Sequence, residues 1–155
     1  MSYGVKYRLE FSDESGIPKK LEILKKSYSG SVIDMVGGVE PVVIKWTAND
    51  DEYSPIIGSQ CEISLLETTT VSYDEFFDAD EREYLVKVFY QYAGTGNAIW
   101  NLTEIDYEDA DFNWNATTAT DIPYWQGFVV NDNFEQVVKT QPFEIKLKAF
   151  DGLGL

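Results

Sequence analysis

The sequence contains no histidine, so it lacks the side chain that most often serves as proton shuttle or metal ligand near neutral pH. Its one cysteine, Cys61, excludes a disulfide framework. A catalytic thiol there would need a lysine or arginine to lower its pKa. Cys61 alternates with Ile63 and Leu65, the pattern of a small buried hydrophobe. Positive charge is also scarce, with 12 basic residues against 27 acidic ones and a net charge of −15. Such a surface repels phosphates and anionic membranes, so neither sequence-specific nucleic acid binding nor membrane binding is expected. No apolar run approaches the ~20 residues of a membrane span. The opening MSYGVKYRLEF is strand-like and unlike a signal peptide. The expectation is a soluble chain made in a cytoplasm, and its 155 residues suit one domain with its own core.

What is present is period-two alternation. Val5, Tyr7, Leu9 and Phe11 alternate with polar residues. After the turn Ser12-Asp13-Glu14-Ser15-Gly16, Leu21 and Ile23 do the same, which predicts a hairpin. Ser31 to Val36 suggests a short strand. Pro41 opens Val42-Val43-Ile44-Lys45-Trp46-Thr47, apolar on both faces and therefore expected at the centre of a sheet. Gln60 to Leu66 is a further strand. Ser72 to Arg82 has the make-up of a short helical turn, and Tyr84 to Tyr92 that of a long strand. Two strands are expected from Tyr124 to Val130 and from Phe134 to Val138, with a turn at Asn131-Asp132-Asn133. Phe143, Ile145, Leu147 and Ala149 then mark the last strand. About eight or nine short strands with one short helix predict a single all-β domain, a β-sandwich or β-barrel. Residues 98–123 break the pattern and are expected to form a long inserted loop.

Candidate chemistry is thin. Asp109, Asp111, Asn113 and Asn115 resemble the start of a calcium loop, but Trp114 holds the position of the sharp-turn glycine and Thr120 that of the bidentate carboxylate. The acids Asp74, Glu75, Asp78, Asp80, Glu81 and Glu83 could in principle supply a glycosidase pair, yet a charge run of this kind ordinarily forms a solvated face. No nucleophile with a base, no metal-ligand set and no cofactor fingerprint is found, so no enzymatic role and no cofactor is expected. Trp100, Tyr107, Phe112, Trp114 and Tyr124 form an aromatic set in and beside the insertion, with Trp125 adjacent. Flat rings among acids and amides suit partner contacts or a glycan-binding face.

Several segments, in order, carry a family resemblance. They are Tyr7-Arg8-Leu9-Glu10-Phe11-Ser12-Asp13, Pro55-Ile56-Ile57-Gly58-Ser59, Asp80-Glu81-Arg82-Glu83-Tyr84, Trp125-Gln126-Gly127-Phe128-Val129-Val130 and Ala149-Phe150-Asp151-Gly152-Leu153-Gly154. Together they resemble the N-terminal domain of tail hub or baseplate-associated structural proteins of phages infecting Bacteroidetes, the crAss-like phages included. The resemblance implies a virion tail component, made in the host cytoplasm, that assembles as a homo-oligomer with other phage tail proteins and has no catalytic residues. Proteins of this family continue past the Asp-Gly-Leu-Gly motif, which makes 1–155 either a short relative or the first domain of a longer chain. A carbohydrate-binding module that reads host-surface glycan through the aromatics of residues 98–125 is the alternative.

Overall fold

The computed structural model describes residues 2–47, 58–69, 71–76, 78–80, 82–92, 120–136 and 140–151. The strands are β1 (Tyr3–Ser12), β2 (Pro18–Lys26), β3 (Ile33–Asp34), β4 (Gly37–Thr47), β5 (Gly58–Glu67), β6 (Tyr84–Tyr92), β7 (Thr120–Gln136) and β8 (Phe143–Phe150), with a 3-10 turn at Asp74–Phe76 between β5 and β6. All eight belong to one sheet, in the order β3-β1-β2-β6-β7-β8-β5-β4. β1 and β3 pair in parallel, and the other pairs are antiparallel.

The two sides of this sheet are tied together by consecutive residues. The Met35 amide donates to the Arg8 carbonyl of β1 at 2.7 Å, and the Leu66 amide, on the β5 side, donates to the Val36 carbonyl at 2.8 Å. One residue further on, Gly37 pairs with Leu65. A Cβ on Gly37 would lie 2.9 Å from Pro41 Cβ and 3.5 Å from both Leu9 methyl groups, so the close approach of these chains needs a glycine. The sheet therefore curls back on itself, and a barrel describes it better than two stacked sheets.

Alternation decides what fills the barrel. Tyr7, Leu9, Leu21, Ile23, Cys61, Ile63, Leu65, Tyr84, Val86, Val88, Ile145, Leu147 and Ala149 all point inward and are buried. One end is plugged by Tyr73 and Phe76, both fully buried around the 3-10 turn. Phe76 meets Tyr84 at 4.6 Å between ring centroids and 58° between planes, and Tyr7 lies 5.6 Å from both Tyr73 and Phe76. These are favourable tilted contacts. β6 runs from this plugged end, at Tyr84, to the opposite mouth at Tyr90.

Four expectations need correction. Among the described residues β4 is an edge strand and not a central one: it pairs there with β5 alone, and its four residues Gly38 to Pro41 bulge out opposite Ser64. The expected strand over Ser31–Val36 shrinks to Ile33–Asp34, because the chain turns away from β1 to close the barrel. The short helical turn expected within Ser72–Arg82 is present as the 3-10 turn Asp74–Phe76. Residues 120–123 belong to strand and not to the insertion, since β7 pairs with β6 from Thr120 onward. β7 also runs through Asn131-Asp132-Asn133, where a register shift against β8 replaces the expected turn. The rest of the 98–123 loop lies outside the described residues.

Packing against a neighbouring backbone makes one glycine critical. A Cβ on Gly127 would fall 2.4 Å from the Phe150 carbonyl oxygen, whereas one on Gly58 would meet nothing within 4 Å. Gly127→Ala is expected to cost about 1–3 kcal/mol by chemical denaturation. Gly58→Ala should stay within about 0.5 kcal/mol of the parent.

Candidate functional site

Three groupings of polar or aromatic side chains were candidates for function, and each is built by strands distant in sequence. The first joins the start of β5, the middle of β7 and the residue after β8. The Ser59 hydroxyl donates to Asp151 Oδ2 at 2.5 Å, and the Ser59 amide donates to the same oxygen at 2.8 Å. The Trp125 indole N–H donates to Ser59 Oγ at 2.8 Å, and the Asp151 amide returns a bond to the Ser59 carbonyl at 3.1 Å. Trp125 is 5% exposed, so it belongs to the core and not to an exposed aromatic platform. The hydroxyl proton is committed to the Asp151 carboxylate and its oxygen accepts from Trp125, so Ser59 is held from both sides. The arrangement is a buried lock between three strands. It also brings together residues from three of the segments that carry the family resemblance.

The second grouping surrounds Glu75 on the 3-10 turn. Tyr7 donates its hydroxyl to Glu75 Oε1 at 2.7 Å, while Lys6 and Lys25 both pair with Oε2, the latter at 3.2 Å. Lys25 also reaches Glu83 at 3.2 Å. Burial alone would raise the Glu75 carboxyl, but the bonds from Lys6, Tyr7 and Lys25 outweigh it and hold its pKa below the usual value. Sequence suggested that this acidic run was a solvated face. Instead Glu75 fastens the plug to β1 and β2. Next to it, burial pushes the Tyr7 phenol well up and the Tyr73 and Tyr84 phenols up to about 12. Cys61 is fully buried and its thiol is pushed up to about 12 by the same cause, which leaves it inert.

The third grouping is the open mouth. Tyr124, at a register shift of β7, is 40% exposed and packs on Tyr90 at 4.5 Å and 59°. The Lys19 ammonium lies 5.0 Å from the Tyr90 ring centre and 6.0 Å from that of Tyr124, and pairs with Asp13 at 3.2 Å. Burial, then the Tyr124 hydroxyl and the Asp13 charge, raise the Tyr90 phenol to about 12. Beside them is a cavity of about 130 Å³ lined by Phe11, Lys19, Val42, Ile44, Val88 and Tyr124. Small-molecule sites are ordinarily about 300–1,000 Å³, so this cavity alone is too small for a sugar ring and its neighbours.

Of the five aromatic residues singled out from sequence, only Tyr124 is among the described residues. Trp100, Tyr107, Phe112 and Trp114 lie outside them, as does the Asp109–Asn115 pattern. Among the described residues, no three histidine, cysteine or carboxylate side chains converge as metal ligands would. The Ser59–Asp151 lock escaped sequence reading because its members are 92 residues apart. Compared with known proteins, the chain matches no family model, no curated protein and no solved structure.

Two pH dependences follow from these groups. Glu75 ionises more readily when folded, so its contribution is complete above the unfolded carboxylate value of about 4.3 and is lost as pH falls through the lower folded value. Glu75→Gln should therefore destabilise the protein at neutral pH, and the gap between the two proteins should close in acid, measured by denaturant midpoints across pH. The buried phenols act in the opposite sense. Their raised folded values mean that the unfolded chain ionises first above about 10, and stability declines from there toward the folded values. In an ultraviolet titration, the signal of Tyr7, Tyr73 and Tyr84 is expected to appear together with unfolding. Ionisation of all ten tyrosines near their ordinary value, with the fold intact, would contradict this.

Proposed function

We propose that this chain is a structural component of a tailed-phage virion, in the tail hub or baseplate region, acting by packing against other subunits and not by catalysis. The observation that carries this reading is the contrast between its interior and one edge. The polar groups of the two locks are spent on holding strands together, while Val36, Val39 and Trp46 lie 49%, 96% and 60% exposed along a single segment. These three side chains leave apolar surface at both ends of β4 open to protein contact. The ordered resemblance of five segments to tail proteins supports the same reading. Three of those segments meet in the Ser59–Trp125–Asp151 lock, so what they have in common is structural and not catalytic.

The glycan-binding alternative rests on Tyr124 alone among the described residues, and Tyr124 is already engaged with Tyr90 and Lys19. Purified virions separate the two. Antibodies against the folded chain are expected to decorate the tail end in negative-stain images, with the protein present among virion components by mass spectrometry. Absence from virions released by cells that make the protein would overturn the structural reading. Glycan-array binding that Tyr124→Ala abolishes would replace it with the alternative.

A further inference from the structure

An edge strand leaves one row of backbone N–H and C=O groups without a ladder, and natural edges are kept from pairing by shortness, charge, proline or cover. β3 is blunted in this way, being two residues long with exposed Asp34. β4 is not. From Val42 to Thr47 it pairs residue by residue with Ile63 to Gly58, and no other described strand lies on its far side. Its one charge in that run, Lys45, is already paired with Glu62 at 2.7 Å. Cross-strand partners share a face, so Val42, Ile44 and Trp46 stand on the inner side with Ile63, Cys61 and Ser59. Yet Val42 and Ile44 are only half-buried, and Trp46 is 60% exposed.

We propose that β4 is an interface strand whose partner is β4 of a second copy, antiparallel and centred on Ile44. Self-pairing is favoured because one two-fold contact covers Trp46 of both copies at once, whereas β3 is two residues long and covers only Tyr7 and Arg8 of β1. The charge pattern agrees. In a chain of net charge −15, the run from Pro41 to Thr47 has no acid, and Lys146 and Lys148 stand on the neighbouring outer face of β8. This is the stretch where two such molecules can meet with least repulsion.

The pattern also selects the register. Centred on Ile44, the two-fold sets Val42 against Trp46 of the second copy and Trp46 against its Val42, with Ile44 facing itself. Both exposed tryptophans are then covered on the inner side, next to the cavity that Val42 and Ile44 line. Centring on Lys45 would put two ammonium groups face to face, which is unfavourable. Centring on Val43 would oppose Trp46 to Glu40 in the bulge. A shift of a single residue would turn the inner side of one copy against the outer side of the other. The pairing is isologous and closed, so it yields a dimer and not a fibre. It holds whether or not the chain belongs to a tail.

Sedimentation velocity across protein concentration tests this directly. A monomer–dimer equilibrium is expected, tightening with added salt as the repulsion between the two acidic bodies is screened. Trp46→Lys should weaken the dimer by about tenfold or more while leaving the melting temperature of the dilute monomer unchanged, since the side chain is exposed in the free molecule. In a Cys61→Ala background, which removes the thiol directly opposite position 44 on β5, Ile44→Cys should form a covalent dimer under mild oxidation, because directly opposed residues have Cα atoms about 4.5–5.5 Å apart, within disulfide reach. The native Cys61 is fully buried, so the parent protein should not cross-link. Hydrogen exchange provides a readout free of substitution, with the Val42–Trp46 amides gaining protection as concentration rises. A chain that stays monomeric at every concentration and salt level would overturn the proposal. So would a dimer that Trp46→Lys leaves intact, or one that cross-links through Val39→Cys but not through Ile44→Cys.

Discussion

Everything in this fold depends on how a single sheet closes. A sheet with one apolar face can bury it only by stacking on another layer or by curling until its sides meet, and this chain curls. The closure is made by backbone: Met35 bonds to β1, Val36 accepts from the β5 side, and Gly37 has no Cβ to hold Pro41 and Leu9 apart. Two hydrogen bonds contribute about 0.5–1.5 kcal/mol each, far less than the burial they permit. Their importance is geometric. Once the sides are tied, the inward residues of β1, β2, β5, β6 and β8 face one common interior and need no second sheet.

Closure leaves two ends to be dealt with, and the chain treats them differently. At one end Tyr73 and Phe76 fill the space between Tyr7 and Tyr84, and Glu75 fastens the plug through Lys6, Lys25 and the Tyr7 hydroxyl. A carboxylate taken partly out of water is tolerable there because three donors meet it. At the other end the interior opens between Phe11 of β1 and Val42 and Ile44 of β4, and Tyr90, Tyr124 and Lys19 form the rim. Charge is thus used inside the fold as a fastener.

The sequence reveals the strands well where each has one wet and one dry face. β1 and β8 alternate cleanly because every second side chain enters the core, while in β2 and β6 the outer pair Leu24 and Leu85 is buried as well; the register of one strand reports nothing about its neighbours. The same locality hides the rest. The bonds linking Ser59, Trp125 and Asp151 depend on β5, β7 and β8 lying side by side, an order that no local pattern encodes. Glu75 looked like part of a solvated run because the lysines that bind it come from β1 and β2. β7 was divided at Asn131-Asp132-Asn133 because those residues favour turns, yet a register shift accommodates them within a longer strand. Of the aromatic set proposed as a contact surface, Tyr124 stands at the mouth, and its neighbour Trp125 is committed to the core.

β4 is the instructive disagreement. Its run Val42-Val43-Ile44 reads as a central strand because both faces are apolar, and central strands are apolar on both faces because both are covered. In this fold Val43 on the outer face is half-buried and the inner face is incompletely covered at Trp46, while among the described residues the backbone has a neighbour on one side only. A composition suited to the middle of a sheet thus stands at the end of the described one. The local sequence and the topology are reconciled if the missing neighbour comes from outside the chain. Both then describe the same molecule, one in its assembled state and the other alone.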